Sequence, residues 1–310
     1  MRINQVFTRV PSYGPTLSAK KITSPKLKHR LQKGNSNLLV NSLGAELCSL
    51  VTEGKERLWS ADAKWWPRHS PVLFPTVGRS KNDQIKVDGQ VYPMNQHGFA
   101  RDLEFELKPE KSSETVLHFS LYDSGETLQR YPFPFELHLV YTLLKNGVHV
   151  RYEVFNPGNR PLPFALGAHP AFLLPATGFE GLYMDFMEEV HFERHLLDDG
   201  LFNGQTLDMG KGTHLPLTQA HFDLDAIVLK NIPSRKIELK SPDLHLEMQI
   251  GGFQDLGIWT KKGCREFLCL EPWYGYADSL GGETELFKRD GIHLLEAGKS
   301  FEAFWQVSFS

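Results

Sequence analysis

Apolar and polar residues alternate with a period of two along most of the chain. In LHLEMQI, Leu244, Leu246, Met248 and Ile250 fall on one face, and His245, Glu247 and Gln249 on the other. VLHFSLY places Leu117, Phe119 and Leu121 on one face, and LEFEL (103–107) and FEAFWQVSF (301–309) also alternate. A strand turns successive side chains to opposite faces, so these stretches predict half-buried strands. Two hairpins are marked by Asn146-Gly147, between ELHLVYTLLK and VHVRYEVF, and by Asp88-Gly89, between IKV and QVY. Both dipeptides tolerate the positive φ of a two-residue turn. Long helical patterns are nearly absent. SADAKWW before Pro67 and SGETLQRY before Pro132 predict single short helices, each with a Ser or Asp as cap. His118, His138, His149 and His245 sit inside strand patterns and are expected to face solvent there.

Many short strands separated by glycine and proline predict an all-β fold, a large antiparallel sandwich or barrel. No repeat, low-complexity tract or linker interrupts the chain from residue 34 onward, so 28–310 reads as one domain. The chain has 310 residues and 41% hydrophobic content, enough for a large core, and 23% charged residues, which fits a globular protein. The net charge of −3 is unevenly spread. Residues 1–34 carry Arg2, Arg9, Lys20, Lys21, Lys26, Lys28, Arg30 and Lys33 and no acid, leaving 26 basic against 37 acidic side chains in the body. An acidic body argues against nucleic acid as a partner. Residues 1–27 read as a basic, disordered extension, although the composition also matches an organelle transit peptide. No apolar run approaches the roughly 18 residues of a membrane span. Cys48, Cys264 and Cys269 match no metal or disulfide spacing, so a reducing, cytoplasmic compartment is expected. Cys269, in an apolar run, reads as a buried small hydrophobe.

Four segments do not look like strand filler: VLFPTVGRSKND with Arg79, MNQHGFARD with His97 and Arg101, LPFALGAHPAF with His169, and FLCLEPWYGYAD with Glu271. In MNQHGFARD the glycine suggests a close backbone approach; a tight turn into the next strand is the plain alternative. Glu271, between Leu270 and Pro272-Trp273, is expected to be poorly solvated. Desolvation raises a carboxylate pKa and strengthens it as a base, and such a group persists only when paired or used. His169 lies among Gly, Ala, Pro and Phe. A structural salt bridge for Glu271 and a backbone-bonded core histidine for His169 remain the competing readings.

QHGFARD, GAHPAF and LCLEPWYGYAD together resemble the aldose 1-epimerase (galactose mutarotase) family, most nearly its LacX-like bacterial branch. GAELCSL, WWPRHSPVLFPTVGRS, FDLDAIVL and GIWTKKG extend the resemblance from about residue 28 to the end. Asn95 stands where relatives commonly have proline. The resemblance implies an antiparallel supersandwich with a sugar cleft on one face and no metal or organic cofactor. It places the substrate-binding arginine at Arg79, the first histidine at His97, the second at His169, the sugar-holding carboxylate at Asp225 and the catalytic glutamate at Glu271. Asp223 competes with Asp225.

The implied reaction interconverts the α and β anomers of a free sugar, a small-molecule substrate handled by a monomer or homodimer. The ring opens when a base takes the C1 hydroxyl proton and an acid protonates the ring oxygen. Glu271 fits the base and a protonated His169 the acid, with His97 hydrogen-bonding the ring oxygen or a neighbouring hydroxyl. Trp273 and Phe172 are candidates to stack on the sugar, or to pack the core. Arg101 braces its loop with Asp102 or reaches a substrate anion. Three alternatives stay open. The first is a hexose 6-phosphate mutarotase using Arg79, Lys81, Arg101, Lys261 and Lys262. The others are a non-catalytic sugar-binding protein, and a retaining glycosidase using Asp225 and Glu271. No ligand spacing supports a metal on His97, His169 and Glu271.

Overall fold

A computed structural model describes residues 27–310, so the basic extension lies outside the described residues except for Leu27. The alternating stretches form strands at Val116–Tyr122, Glu136–Leu143, Gly147–Phe155, Leu244–Gly251 and Ser300–Phe309. Both marked hairpins form. Leu143 pairs with Val148 across Asn146-Gly147. Asp88 and Gly89, at φ 50° and 82°, join Gln84–Val87 to Gln90–Pro93. LEFEL keeps only Glu106–Leu107 as strand, because the Phe105 amide donates instead to the Ser42 carbonyl. SGETLQRY yields the one-turn helix Gly125–Leu128 with a Ser124/Thr127 capping box. SADAKWW forms no helix. It is a turn in which the Trp65 and Trp66 amides both donate to the Asp62 carbonyl at 3.0 Å.

The fold is a large antiparallel β-sandwich. A nine-stranded sheet runs from the hairpin of Tyr183–Asp198 and Leu201–Pro216 through Lys236–Ser241, Leu244–Gly251, Ser300–Phe309, Gly147–Phe155, Glu136–Leu143 and Val116–Tyr122 to Glu106–Leu107. A six-stranded sheet orders Ile227–Leu229, Asp255–Trp259, Phe267–Tyr274, Leu166–Ala168 and Val72–Leu73, with Ala171–Leu173 also paired to Phe267–Tyr274. The two sheets share one apolar cluster, in which Leu268, Leu270 and Ile258 of the smaller sheet join Val148, Val150 and Val307 of the larger. Each fully buried aliphatic or Phe side chain stabilises the fold by about 1.5–3 kcal/mol. Phe172 belongs to this core: it is fully buried, with its ring 6.4 Å from that of Trp305. It is therefore not available to stack on a sugar.

Phe267–Tyr274 is buried on both faces. Leu268, Leu270 and Tyr274 enter the shared core, while Phe267, Cys269 and Trp273 join the apolar groups on the opposite side with Trp59, Phe202 and Val228. Glu271 shares that second side by strand parity.

The larger sheet departs from expectation at two histidines. His118 and His138 are 8% and 7% exposed rather than solvent-facing. They pack on each other and on their strand neighbours: His138 Nδ1 meets His118 Nε2 at 3.3 Å and Ser120 Oγ at 2.7 Å, and the Tyr122 ring lies 6.1 Å from that of His138. Alternation marks two faces of a strand, and here side chains of the second face bury one another. His149 and His245 are partly exposed. Among the described residues, no helix is long and apolar enough to cross a membrane. All three cysteines are thiols.

Candidate active site

Two short strands pair consecutively with the strand that carries Glu271. Gly167 sits opposite Trp273, and Ala171 opposite Cys269. Proline has no N–H for a sheet ladder, so Pro170 breaks the pairing between them. The break leaves His169 facing Glu271, with Nε2 3.2 Å from Glu271 Oε2. The contact is not aligned as a hydrogen bond: Glu271 Oε2 and His169 Nδ1 are buried without partners. Trp273 lies over the sheet between Gly167 and Gly257. A Cβ on either glycine would come within 2.7 Å or 2.5 Å of the indole. Its Nε1–H acts on the Glu271 carboxyl without forming an aligned hydrogen bond.

The MNQHGFARD turn presents His97 with a positive φ of 66°. Gly98 is required there, since a Cβ would meet the Phe74 carbonyl oxygen at 2.1 Å. The His97 amide donates to the Gly78 carbonyl at 2.7 Å, and the Gly78 amide donates to His97 Nδ1 at 3.1 Å. A ring nitrogen that accepts carries no proton, so neutral His97 keeps its proton on Nε2. The rings of His97 and His169 lie 5.6 Å apart, edge to face. Arg101 sits in the short 3₁₀ turn that follows, and its Nη2 donates to the Gln96 carbonyl at 2.6 Å. Its expected pairing with Asp102 is long, at 3.8 Å; Asp102 bonds Arg68 at 2.8 Å instead.

These groups border a cavity of about 630 Å³, together with Trp273, Asp223, Asp225, Lys261 and Lys262. Asp223 and Asp225 are not strand residues: Asp223 lies in the 3₁₀ turn Gln219–Leu224, and Asp225 follows it at φ 69°. Asp223 points to Lys262 at 3.4 Å, whereas the charge of Asp225 acts on Glu271. Arg194, 1% exposed, holds this turn by donating to the carbonyls of His221, Leu224 and Asp225 at 2.7, 2.8 and 2.9 Å.

Arg79 stands apart from the others. Its guanidinium is clasped by Asp83 at 3.0 Å and by Asp199, and it does not border the cavity. Arg101 is the arginine that does. Sequence reasoning overlooked the aromatic wall: Trp66 stacks on His169 at 4.7 Å, and Trp259 meets it edge-on at 5.8 Å. The paired tryptophans before Pro67 were the available signal. Arg194 had none, since its partners are backbone carbonyls.

Burial dominates the electrostatics. It raises the Glu271 carboxyl well above its ordinary pKa; Asp225 adds to the rise and the Trp273 indole opposes it. Burial, and then Arg101, lower His169 to about 3. Burial, Arg101 and His169 likewise push His97 well below its usual value. Burial therefore favours a protonated Glu271 facing a neutral His169, not the protonated His169 expected from the reaction alone. Arg101 itself is lowered to about 10, by burial first and then by Arg68.

Residues 28–307 match the family model described as Aldose 1-epimerase. The plasmid and chromosomal LacX proteins of Lactococcus lactis subsp. lactis are each 32% identical over 255 residues, covering 77% of this chain and 85% of theirs. A solved galactose mutarotase-like protein from Lactobacillus casei ATCC 334 is 32% identical and covers 91% of this chain and all of its own, with a TM-score of 0.86. A galactose mutarotase related enzyme from Lactobacillus acidophilus is 28% identical, covering 92% and 97%, with a TM-score of 0.82.

Proposed function

The chain belongs to the aldose 1-epimerase family, and from that premise we propose that it is a mutarotase acting on free hexoses such as glucose or galactose. The observation that carries this reading is the buried Glu271–His169 contact of 3.2 Å on the cavity wall. The pair shares one dissociable proton. A pyranose binds with O1 at Glu271 and its ring oxygen near His169, and the proton is then distributed as carboxylate and imidazolium. Glu271 takes the proton of the C1 hydroxyl while His169 gives its proton to the ring oxygen. The bond from C1 to the ring oxygen breaks, and the C1 carbonyl forms. The products are the open-chain aldehyde, a protonated Glu271 and a neutral His169, the distribution that burial favours. Desolvation thus makes the reactive charge pair costly and its discharge favourable. Rotation about C1–C2 presents the other carbonyl face, and the reverse transfers close the ring as the second anomer.

His97 Nε2–H serves as a fixed donor to the ring oxygen or a neighbouring hydroxyl. Asp225 and Arg101 hold other hydroxyls, and Trp273, Trp66 and Trp259 supply apolar walls. Neither proton transfer needs a cofactor. Three thiols fit a cytoplasmic enzyme.

A second reading, a 6-phosphosugar as substrate, draws on Arg101, Lys261 and Lys262 at the cavity. Two other cations, Arg79 and Lys81, do not border the cavity, and Lys262 is already paired with Asp223. Anomer-exchange NMR across free and phosphorylated aldoses decides. Exchange of free hexoses above the blank is expected; exchange of 6-phosphosugars alone transfers the assignment to the second reading.

A further inference from the structure

The strand that carries Glu271 also carries a thiol that ring opening does not use. Cys269 precedes Glu271 by two positions, on the same side of the strand and opposite Ala171, beneath the His169–Pro170 break. One donor atom from each of His169, Cys269 and Glu271 lies within 4.8 Å of the other two. The three residues are 7%, 0% and 2% exposed. His169 Nδ1 and Glu271 Oε2 are without hydrogen-bond partners, although polar atoms this deeply buried are ordinarily satisfied.

An imidazole nitrogen, a thiolate and a carboxylate oxygen suit a tetrahedral, thiophilic cation, and two of the three residues, His169 and Glu271, border the cavity. Magnesium and calcium prefer oxygen alone in larger shells. Donors bound to one zinc ion at about 2.0–2.3 Å lie roughly 3.3–3.8 Å from one another, so the side chains need to close by about 1 Å.

We propose that His169, Cys269 and Glu271 form a site for a zinc-class divalent cation, and that filling it blocks sugar turnover. The site stands on its own geometry; only the block rests on the mutarotase reading. The cation occupies the lone pairs that otherwise accept the sugar's protons. It displaces the thiol proton, and the carboxyl proton where present, to solvent. Binding therefore tightens as pH rises. Glu46, Cys48 and His69 form a second trio of potential ligands, half-buried at the surface, which the test must silence.

The experiment uses the reduced full-length chain carrying Cys48→Ala. Cadmium chloride is expected to produce the ultraviolet sulfur-to-cadmium charge-transfer band. Zinc chloride is expected to bring anomer exchange down to the blank, with recovery in EDTA and no effect of magnesium chloride. Adding Cys269→Ala, or Cys269→Ser where the smaller side chain impairs folding, is expected to keep turnover and abolish both metal effects. Absence of the band in the Cys48→Ala protein overturns the site, as does its survival after loss of Cys269. Equal inhibition by magnesium, or zinc inhibition that survives loss of Cys269, overturns the block. If no sugar is turned over, the mutarotase reading fails while the cadmium band still decides the metal site.

Discussion

Two buried histidine pairs are built alike, one where a turn meets a break in the smaller sheet and one on adjacent strands of the larger sheet. His97 and His169 sit edge to face at 5.6 Å, with Glu271 3.2 Å from His169. His118 and His138 sit edge to face at 5.3 Å, with Glu136 3.3 Å from His138. The second pair is satisfied: His138 Nδ1 meets Ser120 Oγ at 2.7 Å and His118 Nε2 at 3.3 Å, and neither ring has a buried nitrogen without a partner. Its carboxylate side chain is 32% exposed, against 2% for Glu271. The first pair leaves polar atoms unpartnered beside a cavity. An unpaired buried polar group costs about 1–3 kcal/mol, which a ligand can recover. Identical residue types thus leave polar atoms unpartnered beside a cavity in one place and form a satisfied cluster in the other.

The largest expected effect separates the two carboxylates. Glu271→Gln removes the base while keeping shape, and should lower kcat by about 10²-fold or more with sugar binding nearly intact. Glu136→Gln should change kcat by less than about twofold. Polarimetry for rate and calorimetry for affinity check both; wild-type turnover in Glu271→Gln would sink the mechanism.

His169→Asn should lose about as much, and the double variant little more, because one ring-opening event uses both groups. His138→Asn should instead lower the thermal midpoint and leave kcat alone. The same pair sets the pH profile. His169 takes up a second proton only near pH 3, so kcat/KM should stay flat through pH 6.5. It should fall on the alkaline side as Glu271 loses the shared proton. An acid limb at about 6.5 would indicate an ordinary imidazolium.

A smaller effect distinguishes the two arginines. Arg101→Ala should raise KM about tenfold, whereas Arg79→Ala, clasped outside the cavity, should stay within about threefold. The reverse order would restore Arg79 as the sugar-binding arginine.

The smallest effect lies in acid stability. His118 and His293 are both held at about 4, chiefly by burial. Between pH 6.5 and 4 the unfolded chain therefore binds protons that the folded one does not, and stability falls as pH falls through that window. His118→Gln should lessen this loss by roughly 1 kcal/mol after allowance for water contact. Urea unfolding at pH 7 and 4.5 measures it.

Strand content, both hairpins and the Ser124 cap were legible because each depends on residues a few positions apart. Alternation and turn chemistry are local properties of the chain. Local signals failed where a distant segment intervened: LEFEL lost strand to Ser42, and His138 on the neighbouring strand packs against His118. His97, His169, Asp225 and Glu271 were placed by motif resemblance, and the cavity gathers all four. Their protonation was not legible, because a pKa depends on how much water other elements exclude. Nor was the position of Arg79 outside the cavity, where Asp83 and Asp199 clasp it. The sequence by itself determined which segments are strands and which residue types carry chemistry. Tertiary structure alone decided which polar atoms are left without partners, because that depends on every element packed around them.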